Sequence, residues 1–554
     1  MTPRGGILVA LLLAAATPEA RIADVENAYA DLQETADCMG IVRSGGSRPP
    51  CDPADPAGRR RNEEAKVEAL LGRLATGSLS PDDRRAAKVI RKALDDARHE
   101  EPADTGTAGA ACDYDAARLA RGERGGERGL EALQRRMYAC YGEAAHAVTF
   151  EGEELDRLTV LARLATTEDG DRRRRLFLAL SPVWRAMSGD GTMGSPYRQM
   201  LALSAARWKA GPSPVSENLA ALGVQPGVME RWLESALDAW RRASGERRLE
   251  PWDYWYAGGS AGRRLSPRVP KEQLRALNAR YYASLGADPA ALGVHFDLDP
   301  RQGKTPVAFT DFGRRPRRVG ATWVTGEPWV FATYEAGGFD NLVELLHETG
   351  HAVHIAAIRT RPAFATWPDS DTFTEALADI PALEAYEPEW QRAFLGDEAP
   401  IGDSLRAKYA GIVMDIAWAL FEVRLHRDPT ADPNAVWTEL THRYLGIAPH
   451  PELSWWAMRG QLVDGPGYMM NYAAGAVIVA DVRARARALR GPFTRADASW
   501  YPWLSERLYR YGLERSSQRV ILDFLGRPLS VDALLSDLGR VPAAGGGSSS
   551  SGGR

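Results

Sequence analysis

Residues 342–354 read LVELLHETGHAVH. Three histidines and two glutamates stand in this otherwise apolar run, although the 554-residue chain has only nine histidines in all. Apolar spacing of this kind drives a segment inward, and burying imidazoles and carboxylates without partners is costly. Any fold open to this chain must therefore bring the polar side chains of this segment a common partner. The segment reads as a helix. Asn341 and Glu344 form a capping-box pattern ahead of the apolar run, and Pro362 lies past its far end. On a helix, positions four apart share a face, so His347 and His351 of the HExxH pattern project together.

Two imidazoles one turn apart suit a zinc ion. Glu348, next to His347, would hold its carboxylate beside the open coordination position, where it can take a proton from water. A catalytic zinc takes three protein ligands and leaves one place open, so a third ligand is expected downstream. Residues 371–386 read DTFTEALADIPALEAY. Glu375 opens a helical pattern there and is assigned as the third ligand. Asp379, four residues on, is assigned as the acceptor that fixes the tautomer of a ligand imidazole. His354, Glu335 and Glu384 are the other candidates. His354 sits too far round the helix from His351 to be favoured, and a packed histidine is the competing reading of it.

The formal net charge of -4 suggests no nucleic-acid or membrane-surface partner. The basic runs Arg172–Arg175 and Arg314–Arg318 lack interleaved aromatics; the first reads as a solvated helix face and the second as a turn. The N-terminus, MTPRGGILVALLLAAATPEA, has the layout of an export signal with cleavage near Ala16 or Ala20. Its apolar core is too short to span a bilayer, so a secreted or periplasmic protein without stable membrane insertion is expected. Cys38, Cys51, Cys112 and Cys140 suggest two disulfides of open pairing. No CxxC pair supports a four-thiolate zinc site.

Amphipathic helical patterns recur over 21–36, 60–76, 81–100, 123–147, 152–165, 171–188, 194–207, 226–245 and about 270–285. A stretch rich in β-branched and aromatic residues begins near Phe296, with a turn expected at Thr325–Pro328. Helical patterns return over about 342–359, 372–387, 402–426, 434–445, 452–460, 467–497 and 501–514. The expected organisation is an export signal (1–20), an N-terminal helical region (21–245), a zinc-binding catalytic region (246–542) and a disordered Gly/Ser tail (543–554). The fold class is mainly α, with a small antiparallel sheet near the zinc helix.

HETGHAVH resembles the zinc helix of the thimet oligopeptidase and oligoendopeptidase family. EALAD at Glu375–Asp379 is closer to the third-ligand segment of the angiotensin-converting enzyme family. PWDYWY (251–256), FDLDPRQGKTPVAF (296–309) and GPGYMMNYAAG (465–475) resemble further segments of the first family. The resemblance covers residues 245–500 and implies a two-lobed helical fold around a deep channel, holding one zinc per chain. It implies zinc-dependent hydrolysis of peptide bonds in oligopeptides, with Glu348 as general base. The sequence does not fix the oligomeric state, for which a monomer is favoured. Tyr468 and Tyr472 match two family tyrosines, which with a histidine hydrogen-bond the scissile carbonyl oxygen. The next family tyrosine is replaced near Gly475, and the histidine expected before Tyr468 is missing, the sequence there being LVDG with Asp464. His450, in PHPELSWW, is the candidate substitute. The strand in GEPWVFATYEA is expected to offer an edge to the substrate backbone. Release of C-terminal dipeptides would require a cation in the channel, from Lys304 or an arginine. The alternative function is an inactive peptide-binding protein that retains the fold.

Overall fold

A computed structural model describes residues 20–47, 55–99 (except 76 and 78), 112–122, 127–245, 248–302, 304, 308–319 and 322–541. The segment expected to be an export signal, up to residue 19, Cys51 and the Gly/Ser tail lie outside the described residues. At the centre, helix Phe339–Ala357 packs on helix Asp371–Ala382, which packs on helix Met469–Arg490, which packs on helix Ile401–Arg427. These are called below the HExxH, glutamate, tyrosine and long helices. The architecture is mainly α, as expected, and no helix among the described residues is long and apolar enough to cross a membrane.

The HExxH helix is buried on most of its circumference, with Leu342, Leu345, Leu346, Val353 and Ile355 in the core. Its start differs from the capping-box expectation. It begins at Phe339, behind Gly338 at φ 121°, a conformation that favours glycine. The Phe339 N–H donates to Ser266 Oγ at 3.1 Å, so a distant serine satisfies a first-turn donor that no local side chain takes. Asn341 lies inside the first turn, and its amide donates to the carbonyls of Ala336 and Gly337 at 3.0 and 3.2 Å. At the other end the helix stops at Ala357, and Pro362 opens a separate short turn, Pro362–Phe364.

In the glutamate helix, Ser370 caps the start by accepting from the Phe373 N–H. Pro381 near the end has no N–H and cannot pair with the carbonyl four residues back. The Tyr509 hydroxyl donates to that carbonyl, of Leu377, at 3.4 Å. The chain then tightens into the 3-10 turn Leu383–Tyr386.

The sheet beside the HExxH helix has the order His295–Asp297, Glu327–Phe331, Phe309–Arg314. Its central strand Glu327–Phe331 runs parallel to the first and antiparallel to the last. The sheet is therefore mixed, and the segment expected to offer a free edge has neighbours on both sides. The turn near Thr325 does not join a hairpin: Thr322–Val324 pairs with Arg317–Val319 instead. A further hairpin, Val148–Phe150 with Glu153–Leu155, occupies the start of the helix expected over 152–165, which begins at Arg157. Its turn holds Glu151 and Gly152 at positive φ. The pattern over 171–188 is two helices, Gly170–Leu178 and Ser181–Ser188.

Helix Ile22–Arg43 lies across helix Pro56–Gly72 and against strand Phe309–Arg314. Charge fastens it. Arg315 meets Asp37 through two nitrogens at 2.7 and 2.8 Å, and Arg361 meets Glu26 at 2.7 and 2.8 Å while reaching Asp82 and Asp83. The RRPRR run does turn the chain between strands, but its second arginine is buried, as is Arg173 of the earlier run, which binds Asp253. Cys112 is bonded to Cys140, and Cys38 is also in a disulfide. Replacing Arg315 with leucine leaves Asp37 buried without its cation, so denaturant unfolding should show a loss of about 3–5 kcal/mol; an unchanged midpoint and slope would refute this anchoring role.

Candidate metal centre

The HExxH and glutamate helices cross in close contact at Gly350. A Cβ there would stand 2.4 Å from the Ala378 carbonyl oxygen, so only glycine permits this approach. The crossing sets His347 and His351 against Glu375. The Glu375 Oε2 atom lies 3.4 Å from His347 Nε2 and 3.8 Å from His351 Nε2, and one ligand atom from each residue falls within 4.8 Å of the others. Four-coordinate zinc with bonds of 2.0–2.2 Å needs ligand atoms about 3.3–3.6 Å apart. The donor set suits such an ion, with the His347–Glu375 pair at that separation and the His351–Glu375 pair slightly wider.

Charge balance makes the same point. Burial disfavours charge on His347, yet the carboxylates of Asp379, Glu375 and Glu348 outweigh it and hold the imidazole pKa well above its ordinary value. Burial likewise disfavours charge on Glu375, but the adjoining imidazoles of His347 and His351 hold its carboxyl below the usual range. The three groups act as a site that wants a positive centre among them. Asp379 Oδ1 lies 2.7 Å from His347 Nδ1, which turns Nε2 toward Glu375. His351 Nδ1 is buried with no protein partner.

These residues line a cleft of about 530 Å³ together with Glu348, Thr310, Trp367, Tyr468 and Tyr472. Glu348 is 6 % exposed. The Thr310 hydroxyl, on edge strand Phe309–Arg314, lies 2.7 Å from Glu348 Oε2 and 2.9 Å from the Glu348 carbonyl. Nothing in the sequence around Thr310 points to this contact, which depends on how the strand is laid over the helix. Tyr468 and Tyr472 pack ring to ring at 5.5 Å. Burial, then the charge of Glu375, raises both phenols, so both are protonated donors at neutral pH.

The remaining candidates fall elsewhere. His450 is not among the cleft-lining residues; it lies between Glu250 and Glu452 at 2.8 and 2.7 Å, beside Trp252. His354 is packed between Trp367 and Tyr509, and burial lowers it to about 3. Glu335 is exposed, and Glu384 is buried against Arg483 and Arg487. Lys304 is committed to Asp297 and to the Asp299 and Ala332 carbonyls, outside the cleft.

No protein-family model and no curated protein matches the chain. Its fold does match solved structures. One is PZ peptidase A with an inhibitor, at 14% identity over 95% of this chain and 97% of that chain, with a TM-score of 0.55. Another is a protein assigned as oligoendopeptidase F, at 15% identity over 94% and 97%, with a TM-score of 0.55. A third is an M32 carboxypeptidase from Deinococcus radiodurans R1, at 16% identity over 93% and 97%, with a TM-score of 0.55. At these identities the likeness establishes a shared fold across nearly the whole chain. The site geometry predicts that Asp379→Ala weakens zinc binding about 10- to 100-fold. Competition titration against a chromophoric chelator measures it, and an unchanged affinity would remove Asp379 from the site.

Proposed function

We propose that this protein is a zinc-dependent peptidase that hydrolyses peptide bonds in oligopeptides. The observation that carries the reading is the convergence of His347, His351 and Glu375 on one point of the cleft that also holds Glu348. The fold shared with peptidases, and the local resemblance to the thimet oligopeptidase and angiotensin-converting enzyme families, support it. His347, His351 and Glu375 are the proposed ligands. Zinc held by them would supply a Lewis acid to polarise the scissile carbonyl and ease the ionisation of water.

The chain's own groups account for the rest. Glu348 takes the proton of the attacking water and later passes it to the leaving amine. The Thr310 hydroxyl donates to Glu348 Oε2 and so orients the carboxylate. Asp379 accepts from His347 Nδ1, keeping the Nε2 lone pair free for the metal. Tyr468 or Tyr472 donates to the carbonyl oxygen as it gains charge. Phe309 and Thr310, at the cleft on an edge strand, supply the backbone against which an extended peptide would lie. On this reading the substrate is an unstructured peptide rather than a folded protein, and the export-signal layout of the N-terminal sequence supports an activity outside the cytoplasm.

Mass spectrometry of a mixed peptide library with and without chelator tests the reading. Chelator-sensitive cleavage is expected, whereas intact peptides that still bind would favour the inactive binding protein. Glu348→Gln should keep one zinc per chain and lose about 10²–10⁴-fold in turnover; retained turnover would exclude Glu348 as the base. Thr310→Val should lower kcat about tenfold or more with KM unchanged, since a hydrogen bond to a charged group is lost, and Thr310→Ser should restore it. Equal kinetics in the valine variant would dismiss the orienting role.

A further inference from the structure

The cleft extends beyond the metal ligands, and its far end holds a buried cation. Lys408, on the long helix, lines the cleft with its side chain only 3 % exposed. An ammonium group has three N–H donors to satisfy, yet Lys408 makes no hydrogen bond among the described residues. Among the described residues its one anionic neighbour within 4 Å is Asp537, at 3.6 Å, and that same oxygen accepts from the Tyr409 hydroxyl at 2.6 Å. The Tyr409 ring, 4.8 Å away, adds a weak cation–π contact. The other carboxylates nearby are taken: Glu384 by Arg483 and Arg487, Glu387 by Arg487 and Arg540. Arg483 also lines this end but is held by Glu384 and the Ile380 carbonyl. Burial lowers Lys408 to about 8, the mark of an ammonium that lacks compensation.

The distance to the metal ligands follows from the helices. Leu383, another cleft-lining residue, on the turn packed against the long helix, lies eight residues after Glu375, about 12 Å along the chain at 1.5 Å per residue. An extended peptide covers that span in about three or four residues, and the lysine stem shortens it.

We propose that Lys408 is an anion subsite that binds a carboxylate of the peptide a few residues from the bond cleaved. This deepens the peptidase reading and rests on it. The carboxylate is either the free C-terminus of a short peptide or an Asp or Glu side chain; both present the same chemistry to the ammonium, and the measurement separates them.

Binding is measured on the zinc-loaded Glu348→Gln protein, so no turnover is needed. Four versions of one short peptide are compared by calorimetry: free acid or C-terminal amide, each with Glu or Gln at a position downstream of the cleaved bond. The carboxylate-bearing forms should bind about tenfold or more tightly than the neutral amide. Preference for the free acid assigns the C-terminus, and preference for Glu in the amide assigns the side chain. Adding Lys408→Met should erase the preference while leaving the neutral amide's affinity in place, and Lys408→Arg should restore part of it. Equal affinity for all four peptides, or a preference that survives Lys408→Met, would overturn the proposal. The four-peptide comparison needs no change at Lys408, so it decides even if the methionine variant does not fold. Failure here, with chelator-sensitive cleavage intact, would reject the subsite and leave the peptidase reading standing; absence of such cleavage would reject that reading instead.

Discussion

The structure depends on one close helix crossing. Gly350 and Ala378 meet where a single added carbon would stand 2.4 Å from a carbonyl oxygen. His347 and His351 flank Gly350 on one helix, and Glu375 and Asp379 flank Ala378 on the other. Nitrogen and carboxylate therefore come within reach because the backbones do, not because long side chains stretch to meet. A larger residue at Gly350 would push the helices apart and draw these side chains away from one another. The glycine in HETGH is thus as much a part of the site as the two histidines that surround it.

That crossing concentrates charge, and the fold around it handles the cost in two ways. Near the candidate ligands, His347 is partnered by Asp379 and Glu348 by the Thr310 hydroxyl, while His351 Nδ1 is left without a protein partner. Farther out, pairs between segments remote in sequence do the same while joining layers. Arg315 with Asp37 and Arg361 with Glu26 tie the N-terminal helix to the sheet and to the turn after the HExxH helix. Because a buried ion pair is costly to break from one side, these contacts fix where the first helix lies against strand Phe309–Arg314, the strand that presents Thr310 to Glu348. Lys408 departs from this pattern, with only the longer contact to Asp537 to offset its charge.

Much of this was legible in the sequence wherever the determinant was local. The spacing of HExxH put two imidazoles on one helix face, and the spacing of Glu375 and Asp379 put two carboxylates on another. Long amphipathic patterns gave the helices at 81–99, 226–244 and 401–427 nearly to their ends. What sequence could not supply was contact between distant segments. The cap on Phe339 comes from Ser266, so the local Asn341–Glu344 pattern pointed to the wrong start. The alternation in Glu327–Phe331 fits a strand but does not say which strands lie beside it, and the one that does line the cleft carries Thr310 with no motif around it. His450 failed as a cleft residue for the same reason: two acids near it in space, one of them 200 residues away in sequence, hold it elsewhere.

The tyrosine segment shows how the site stays ordered despite the missing histidine. Buried Glu422 accepts from the Gly467 and Met469 N–H groups at 2.8 and 3.2 Å, on either side of Tyr468. The Asn471 side-chain oxygen accepts from Thr372 at 2.8 Å and from Asn218 at 2.9 Å. Thr372 belongs to the glutamate helix, one turn before Glu375. The helix that carries the tyrosines is therefore bonded directly to the helix that carries the third ligand candidate, and its start is held by a carboxylate on the long helix. Positions of donor and ligand are set relative to each other by buried hydrogen bonds, which water cannot easily replace. With Tyr468 and Tyr472 held in this way, the proposed reaction would have a hydroxyl donor for the carbonyl oxygen without an imidazole in the same segment, and Gly475 lines the cleft beside them.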